Sequence, residues 1–251
     1  MAPTQTPSEG VSTQLALWLA MPAAAETFDA GLLSPADQAR YSAVRASGRR
    51  QDFRVSRALL QHAGPAVHTV QSLSHSMGHA ALAQLTAAAG SNFSLGVDLE
   101  LHRPRDVRSI ARFAFAPEEV DGLVQLPEGE CQRRFYTLWT MKEALGKALG
   151  LSLLEALRQC VFRECEGEWR LETQVNTPCS VLAFEPRPLL MLAVAWIGEQ
   201  SSILVHLHEW PPGNAGAWSL IAQVRARGAQ VVRADAAGGG ASAPVPRAAA
   251  L

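Results

Sequence analysis

Ser94-Leu95-Gly96-Val97-Asp98-Leu99-Glu100 alternates apolar and acidic side chains around one glycine. Successive side chains of a strand point to opposite faces. Leu95, Val97 and Leu99 therefore share one face and Asp98 and Glu100 the other, with Gly96 leaving room beside the carboxylates. Two carboxylates one strand repeat apart can hold a hard cation once oxygens from elsewhere complete its shell. The same pattern also describes an amphipathic strand with a solvated acidic end, and the strand alone does not choose between them.

Downstream, Cys131-Gln-Arg-Arg-Phe-Tyr-Thr-Leu-Trp-Thr-Met-Lys-Glu-Ala-Leu-Gly-Lys-Ala-Leu-Gly150 reads as the longest helix. At helical spacing Leu138, Met141, Leu145, Ala148 and Leu149 gather on one side, and Tyr136, Trp139, Glu143 and Lys147 on the other. Glu143 and Lys147 form an i,i+4 pair in the favourable order, as on any solvated face. Two large rings on that same face instead predict that it lines a cleft. Upstream lie two further patterns. In Arg49-Arg-Gln-Asp-Phe-Arg-Val-Ser-Arg57, residues Arg50, Arg54 and Arg57 share a helical face that suits either a phosphate clamp or solvent. In Gln71-Ser-Leu-Ser-His-Ser-Met-Gly78, His75 between two serines suits a loop that meets an anion, or an ordinary strand end.

Around these motifs, Leu15–Ala20, 68–76 and Gly78–Ala87 read as extended segments, as do Trp169–Gln174, Ser180–Glu185 and Leu189–Ile197. Pro35–Arg45, Gly48–Ala63, Asp106–Phe113 and the stretch from Ala116 read as helices, with Ser34 capping the first. Helices and strands segregate rather than alternate strictly, which predicts an α+β fold. The expected organisation is a disordered N-terminus (1–13), an N-terminal lobe (14–93) and a C-terminal lobe with the metal site (94–210). A C-terminal extension follows (211–251), its last part (236–251) low in complexity and disordered.

Composition narrows the function classes. The 251 residues carry 22 Lys+Arg against 23 Asp+Glu, a formal net charge of −1, and 48% are hydrophobic. That excludes a disordered chain and argues against a nucleic-acid binder. No apolar run is long enough to span a membrane, and the start lacks a basic segment before an apolar one, so neither a span nor a signal peptide is expected. Cys131, Cys160, Cys165 and Cys179 have no Cys-x-x-Cys or zinc-finger spacing and are read as reduced thiols of a cytoplasmic protein. Only 2 of the 22 basic residues are lysines, Lys142 and Lys147, in a chain with 42 alanines. Two ammonium groups kept together in a chain that otherwise uses arginine point to a task for which a planar guanidinium is unsuited. The markers of P-loop, Rossmann, zincin and serine-esterase chemistry are absent.

The order of these motifs resembles the 4′-phosphopantetheinyl transferase superfamily, in its long, monomeric, surfactin-synthetase-activating type. Its signature is Gly-(Val/Ile)-Asp, here Gly96-Val97-Asp98, followed about forty residues later by Trp-(Ser/Thr/Cys)-x-Lys-Glu-(Ser/Ala)-x-x-Lys, here Trp139 to Lys147. The resemblance covers roughly residues 15–210, and Pro211 onward has no counterpart. It implies two similar α+β lobes related by a pseudo-twofold axis with coenzyme A between them. It also implies transfer of 4′-phosphopantetheine from coenzyme A to a serine of an apo acyl or peptidyl carrier protein. A coenzyme A-binding module without turnover, or another Mg²⁺-dependent phosphotransferase on the same lobes, are the alternatives.

By the same resemblance Asp98, Glu100 and Glu143 match Mg²⁺ ligands. Lys147 matches the contact to the coenzyme A pyrophosphate, and Arg57, His75 and Arg50 match contacts to its phosphates. Ser74 and Lys142 are placed with the coenzyme A-binding set. Glu143 and Lys147 are the catalytic pair, and either Glu143 or a metal-bound hydroxide takes the serine proton. Arg105, Arg108 and Arg112, spaced for one helical face, with Phe113 and Phe115 beside them, are the expected carrier-docking surface. No nucleic acid, no membrane and a monomer complete the expectation.

Overall fold

The computed structural model describes residues 13–65, 69–88, 90–173, 178–198, 203–212, 218–224 and 229–230. β1 (Thr13–Ala20) buries alternate Leu15, Leu17 and Leu19 completely. Short 3₁₀ turns at Pro22–Thr27 and Ala30–Leu32 lead to α1 (Pro35–Ala43), where Ser34 accepts a hydrogen bond from the Asp37 N–H and Pro35 takes the first turn. Then come α2 (Ser47–Ala63), β2 (Thr69–Ser76) and β3 (His79–Thr86). The tight β2–β3 turn needs positive φ at both Met77 and Gly78, 50° and 79°, which glycine adopts without strain.

The next stretch repeats the plan. β4 (Ser94–Leu101) precedes α3 (Val107–Ala114), α4 (Pro117–Val124), α5 (Glu128–Leu149) and α6 (Leu153–Gln159). A hairpin of β5 (Phe162–Cys165) and β6 (Glu168–Leu171) follows, then β7 (Cys179–Arg187), β8 (Leu190–Ile197), β9 (Ile203–Trp210), β10 (Ser219–Val224) and β11 (Ala229–Gln230). One sheet has the order β11-β9-β1-β3-β2 and the other β10-β7-β8-β4. Within them β1-β3-β2 and β4-β8-β7 have the same antiparallel order, so the two halves share a topology. The fold is α+β.

The two sheets pack face to face. Leu15 and Leu17 of the first meet Leu95, Val97, Leu192 and Val194 of the second in one core. Alternate residues on the outer faces pack against helices: Ala80 and Leu82 against Val55 and Leu59 of α2, and Ala193 and Ala195 against Met141 and Leu145 of α5. Four layers result, helix–sheet–sheet–helix, which is how two half-apolar sheets each bury both faces.

Three expectations change. Thr13, expected in the disordered start, opens β1 and is buried. β9, grouped by the sequence boundary with the second lobe, pairs parallel to β1 in register Leu15↔Val205, and so belongs to the first sheet. It covers what would otherwise be an open edge beside fully buried leucines. β10, in the stretch expected to be a C-terminal extension, pairs antiparallel with β7 and so belongs to the second sheet. Residues 1–12 and 236–251, expected to be disordered, lie outside the described residues. Among the described residues, no helix is long and apolar enough to cross a membrane.

Candidate active site

The edge of each sheet brings the site together. β4 is the outer strand of its sheet, and β2 is the outer strand of the other. Their edges abut through side chains from β2 rather than by a backbone ladder. Ser74 Oγ donates to Asp98 Oδ1 at 2.9 Å, and Ser76 Oγ donates to Glu100 Oε2 at 2.9 Å. α5 crosses the carboxylate side of β4 so closely that a Cβ on Gly96 would lie 2.0 Å from the Ala144 carbonyl oxygen. That approach lets Lys147 reach β4. Its Nζ donates to Asp98 Oδ1 at 2.8 Å, to the Val97 carbonyl at 2.9 Å and to Ser74 Oγ at 3.3 Å.

Asp98 is 3% exposed, and its second oxygen, Oδ2, is buried with no protein partner. A buried carboxylate oxygen left bare is costly unless something else meets it. Burial first and the Asp98 charge second lift the Glu143 carboxyl to about 7, against the pull of Lys147, and the Glu100 charge adds to the rise. Burial and the Asp98 charge likewise raise Glu100, against the Ser76 hydrogen bond. Three carboxylates that repel one another across one seam, with an oxygen of Asp98 free, could share a hard divalent cation. Among the described residues, no group of three or more His, Cys, Asp or Glu is arranged to hold a metal ion by itself. Oxygens from a bound substrate or water would have to complete the shell of a cation such as Mg²⁺ there.

The residues expected to meet anions lie on α1, α2 and β2 or pair with them. His75 is exposed, with Nδ1 4.0 Å from Asp52 Oδ2. Asp52 also accepts the Gly78 N–H, which ties α2 to the β2–β3 turn. Arg57 is paired with Asp37 at 2.9 Å, its Nε buried without a partner, and this pairing holds the Asp37 carboxyl below the usual carboxylate range. Arg50 is exposed and stacks over Tyr41, while Arg54 donates to the Ala25 carbonyl. Asp98, Glu100, Glu143, Lys147 and Ser74 thus converge at the seam, with His75 on the same strand as Ser74.

Other expected residues are placed differently. Lys142, expected in the coenzyme A-binding set, is 0% exposed, ion-paired with the buried Glu119 and set over the Phe115 ring. Both members of that pair are buried, so the ammonium is turned into the protein, away from the seam where Lys147 meets Asp98. Glu119 also accepts the N–H groups of Ala116 and Phe162. Tyr136, expected on the cleft face of its helix, is wholly buried, and its hydroxyl accepts from the Arg103 N–H and from Arg105 Nε. α3, α4 and α6 cover that side of α5, which is why its buried residues run most of the way round.

The expected docking stripe is also redistributed. Arg105 precedes α3, lying over Tyr136 and Trp139, and Arg108 is held by Glu128 and the Leu126 carbonyl. Arg112 and Phe113 are exposed, Phe113 by 70%, whereas Phe115 is in the core against Phe135.

Sequence reasoning missed Glu119, Ser72 and Ser76. The signal for Glu119 was its place three residues into a Pro-led helix, where a glutamate serves as an N-terminal cap. The signal for the serines was their alternation, Ser72, Ser74 and Ser76, along one face of a strand.

Residues 94–185 match the family model described as the 4′-phosphopantetheinyl transferase superfamily. Among curated proteins, the chain is 39% identical over 80 residues to "4′-phosphopantetheinyl transferase HetI" of a Nostoc species, a stretch covering 32% of each chain. It is 27% identical over 132 residues to "4′-phosphopantetheinyl transferase psf-1" of Bacillus pumilus, 52% of this chain and 55% of that one. It is 61% identical over 31 residues to "4′-phosphopantetheinyl transferase pptA" of Paxillus involutus, 12% of each. The matches thus span from about an eighth to about half of these relatives' lengths. The Gly96-Val97-Asp98 edge and the Trp139–Lys147 helix that meet at the seam both lie inside residues 94–185, the span in which this chain is similar to the 4′-phosphopantetheinyl transferase superfamily.

Proposed function

We infer that this protein transfers 4′-phosphopantetheine from coenzyme A to a serine hydroxyl of an apo acyl or peptidyl carrier protein. The observation that carries this is Asp98, with Oδ1 held between Ser74 and Lys147, Oδ2 bare, and its charge felt by the Glu100 and Glu143 carboxyls. In the reaction the serine oxygen bonds to the phosphorus that bears pantetheine. The bond from that phosphorus to the bridging oxygen breaks, 3′,5′-ADP leaves, and the serine proton is taken up. Positioning and charge neutralisation do most of such a transfer.

Asp98, Glu100 and Glu143 would hold Mg²⁺, which supplies charge stabilisation on the phosphate oxygens. Lys147, anchored on Asp98 and the Val97 carbonyl, orients its ammonium at the seam, where it offsets charge on the 5′-phosphate of the departing 3′,5′-ADP. His75, Arg57 and Arg50 on the first lobe take the outlying phosphates. Glu143 is the carboxylate proposed to accept the serine proton. The four cysteines are free thiols, which suits a reducing compartment such as the cytoplasm. One chain brings both sheets to the seam, which supports a monomer.

The test is mass spectrometry of a panel of apo carrier proteins incubated with the protein, coenzyme A and Mg²⁺. A gain of one phosphopantetheine on the acceptor serine is expected. A panel left unmodified, with coenzyme A bound, overturns transfer in favour of a binding module.

A further inference from the structure

Ser72, Ser74 and Ser76 fall on one side of β2, and each meets β4. Ser72 Oγ accepts the Val97 N–H at 3.0 Å. Ser76 Oγ donates to Glu100 Oε2 at 2.9 Å while accepting the Leu101 N–H at 3.4 Å. β4 pairs on one side only, with β8. The N–H groups of Val97 and Leu101, four residues apart, therefore point from the free edge toward β2, and an unpaired edge group away from water is costly. Serine suits this task because one hydroxyl both accepts from a backbone N–H and donates to a carboxylate. A backbone ladder between the same edges would take up the N–H groups and leave the carboxylates unoriented.

We propose that Ser76 is a positioning residue, which fixes the Glu100 carboxylate toward the cation while docking the first lobe on the edge of the second, with Ser72 as the companion latch. The Leu101 N–H holds the Ser76 oxygen, so its proton is directed at Glu100 Oε2 and the other carboxylate oxygen is left for a ligand. Ser76 is buried, 8% exposed, which shields that hydrogen bond from water. Because Ser76 lies next to His75 on β2, the same contact ties the spacing between the first lobe's anion-binding residues and the second lobe's carboxylates to one register. The inference rests on Asp98, Glu100 and Glu143 being the cation site, as proposed above.

Isothermal titration of the full chain with Mg²⁺ alone tests it. Loss of a partner that orients a ligand costs metal affinity at least about tenfold, so Ser76→Ala is expected to bind Mg²⁺ about tenfold more weakly than wild type. Ser76→Thr, which keeps the hydroxyl, is expected to bind about tenfold more tightly than Ser76→Val, which has the same shape without it. In carrier modification the Ala variant is expected to lose kcat at saturating carrier with its KM for the carrier unchanged. Ser72→Ala is expected to lower the melting temperature with Mg²⁺ affinity kept, since Ser72 contacts only backbone on β4. Equal Mg²⁺ affinity for Ser76→Ala and wild type, or for the Thr and Val pair, overturns the proposal. Wild-type protein that binds Mg²⁺ but modifies no carrier overturns the transfer reaction and leaves Ser76's role standing, whereas wild-type protein that binds no Mg²⁺ overturns the cation site and this inference together.

Discussion

A Cβ at position 96 would stand 2.0 Å from the Ala144 carbonyl oxygen, 2.8 Å from the Ala148 nitrogen and 2.9 Å from Lys147 Cβ. Two of those neighbours are backbone of α5, so Gly96→Ala can be accommodated only by moving a helix off a strand. The expected loss is about 3 kcal/mol, the upper range for overpacking a tight core, read from the urea midpoint. Transfer should fall further than stability alone accounts for, because the displaced helix carries Glu143 and Lys147. Retention of wild-type stability would show that the strand–helix gap is wider than these distances. Gly96 was read from the sequence as space on the carboxylate side of its strand. That a helix fills the space was not legible, since alternation along a strand does not specify what packs against it.

At the scale of elements, α5 is held by a buried ion pair whose two members lie on different helices. Lys142 and Glu119 are 0% and 1% exposed in their side chains, and burial pulls the Lys142 ammonium below its usual range against the pull of Glu119. Removing one partner strands the other charge, which typically costs about 3–5 kcal/mol, whereas apolar replacement of both can be nearly neutral. Lys142→Met is therefore expected to lose more stability than Lys142→Met with Glu119→Gln, which removes the stranded charge and keeps a side-chain acceptor for the Ala116 and Phe162 N–H groups, measured by urea denaturation. Equal losses would mean that the pair is not coupled.

A second element-scale contact joins α2 to the first sheet. His208 of β9 stacks on Trp18 at 4.1 Å, and His62 of α2 stacks on Trp210 at 3.5 Å. Burial lowers both imidazoles from the ordinary value of 6.5, and for His208 the neighbours His206 and His62 add to it. Stability from the neutral rings is complete above 6.5 and is lost as pH falls toward the lowered values, since the unfolded chain then binds protons the fold refuses. Glu100 and Glu143, raised in the fold, act in the opposite sense, so the comparison has to be against a variant. Between about pH 7.5 and about pH 5, His208→Phe should lose less melting temperature than wild type. Parallel curves would dismiss the histidine contribution.

For the whole molecule, the first sheet depends on a strand that arrives after the second sheet is nearly complete. β9 runs along β1 from Thr13↔Ile203 to Ala20↔Trp210. Arg187 of β7 binds Glu209 at 2.6 Å, and the Trp218 indole donates to the same carboxylate at 2.9 Å, which fastens β9 to the other sheet. A chain ending at residue 198 would uncover one edge of β1 and part of the core between the sheets. Loss of the cooperative thermal transition by circular dichroism is expected, although the truncated chain keeps every residue of the proposed chemistry. A sharp transition at the wild-type temperature would show that the lobes fold without the crossover.

Local pattern carried much of this protein. The alternation at Ser94–Glu100, the Pro35 helix start, the long helix through Lys147 and the isolated lysine pair were all present in the sequence, because strand period, helix period and capping depend on near neighbours in the chain. The family signature joined two of those segments. What the tertiary structure decided involves partners distant in sequence. Lys142 and Lys147 stand five residues apart on one helix, and only packing sends one to a buried glutamate of α4 and the other to Asp98 at the seam. Phe115 and Tyr136 went to the core, and Ser74 to Asp98, for the same reason: a side chain's type limits what it can bond, but which group stands within 3 Å of it is set by how sheets and helices stack.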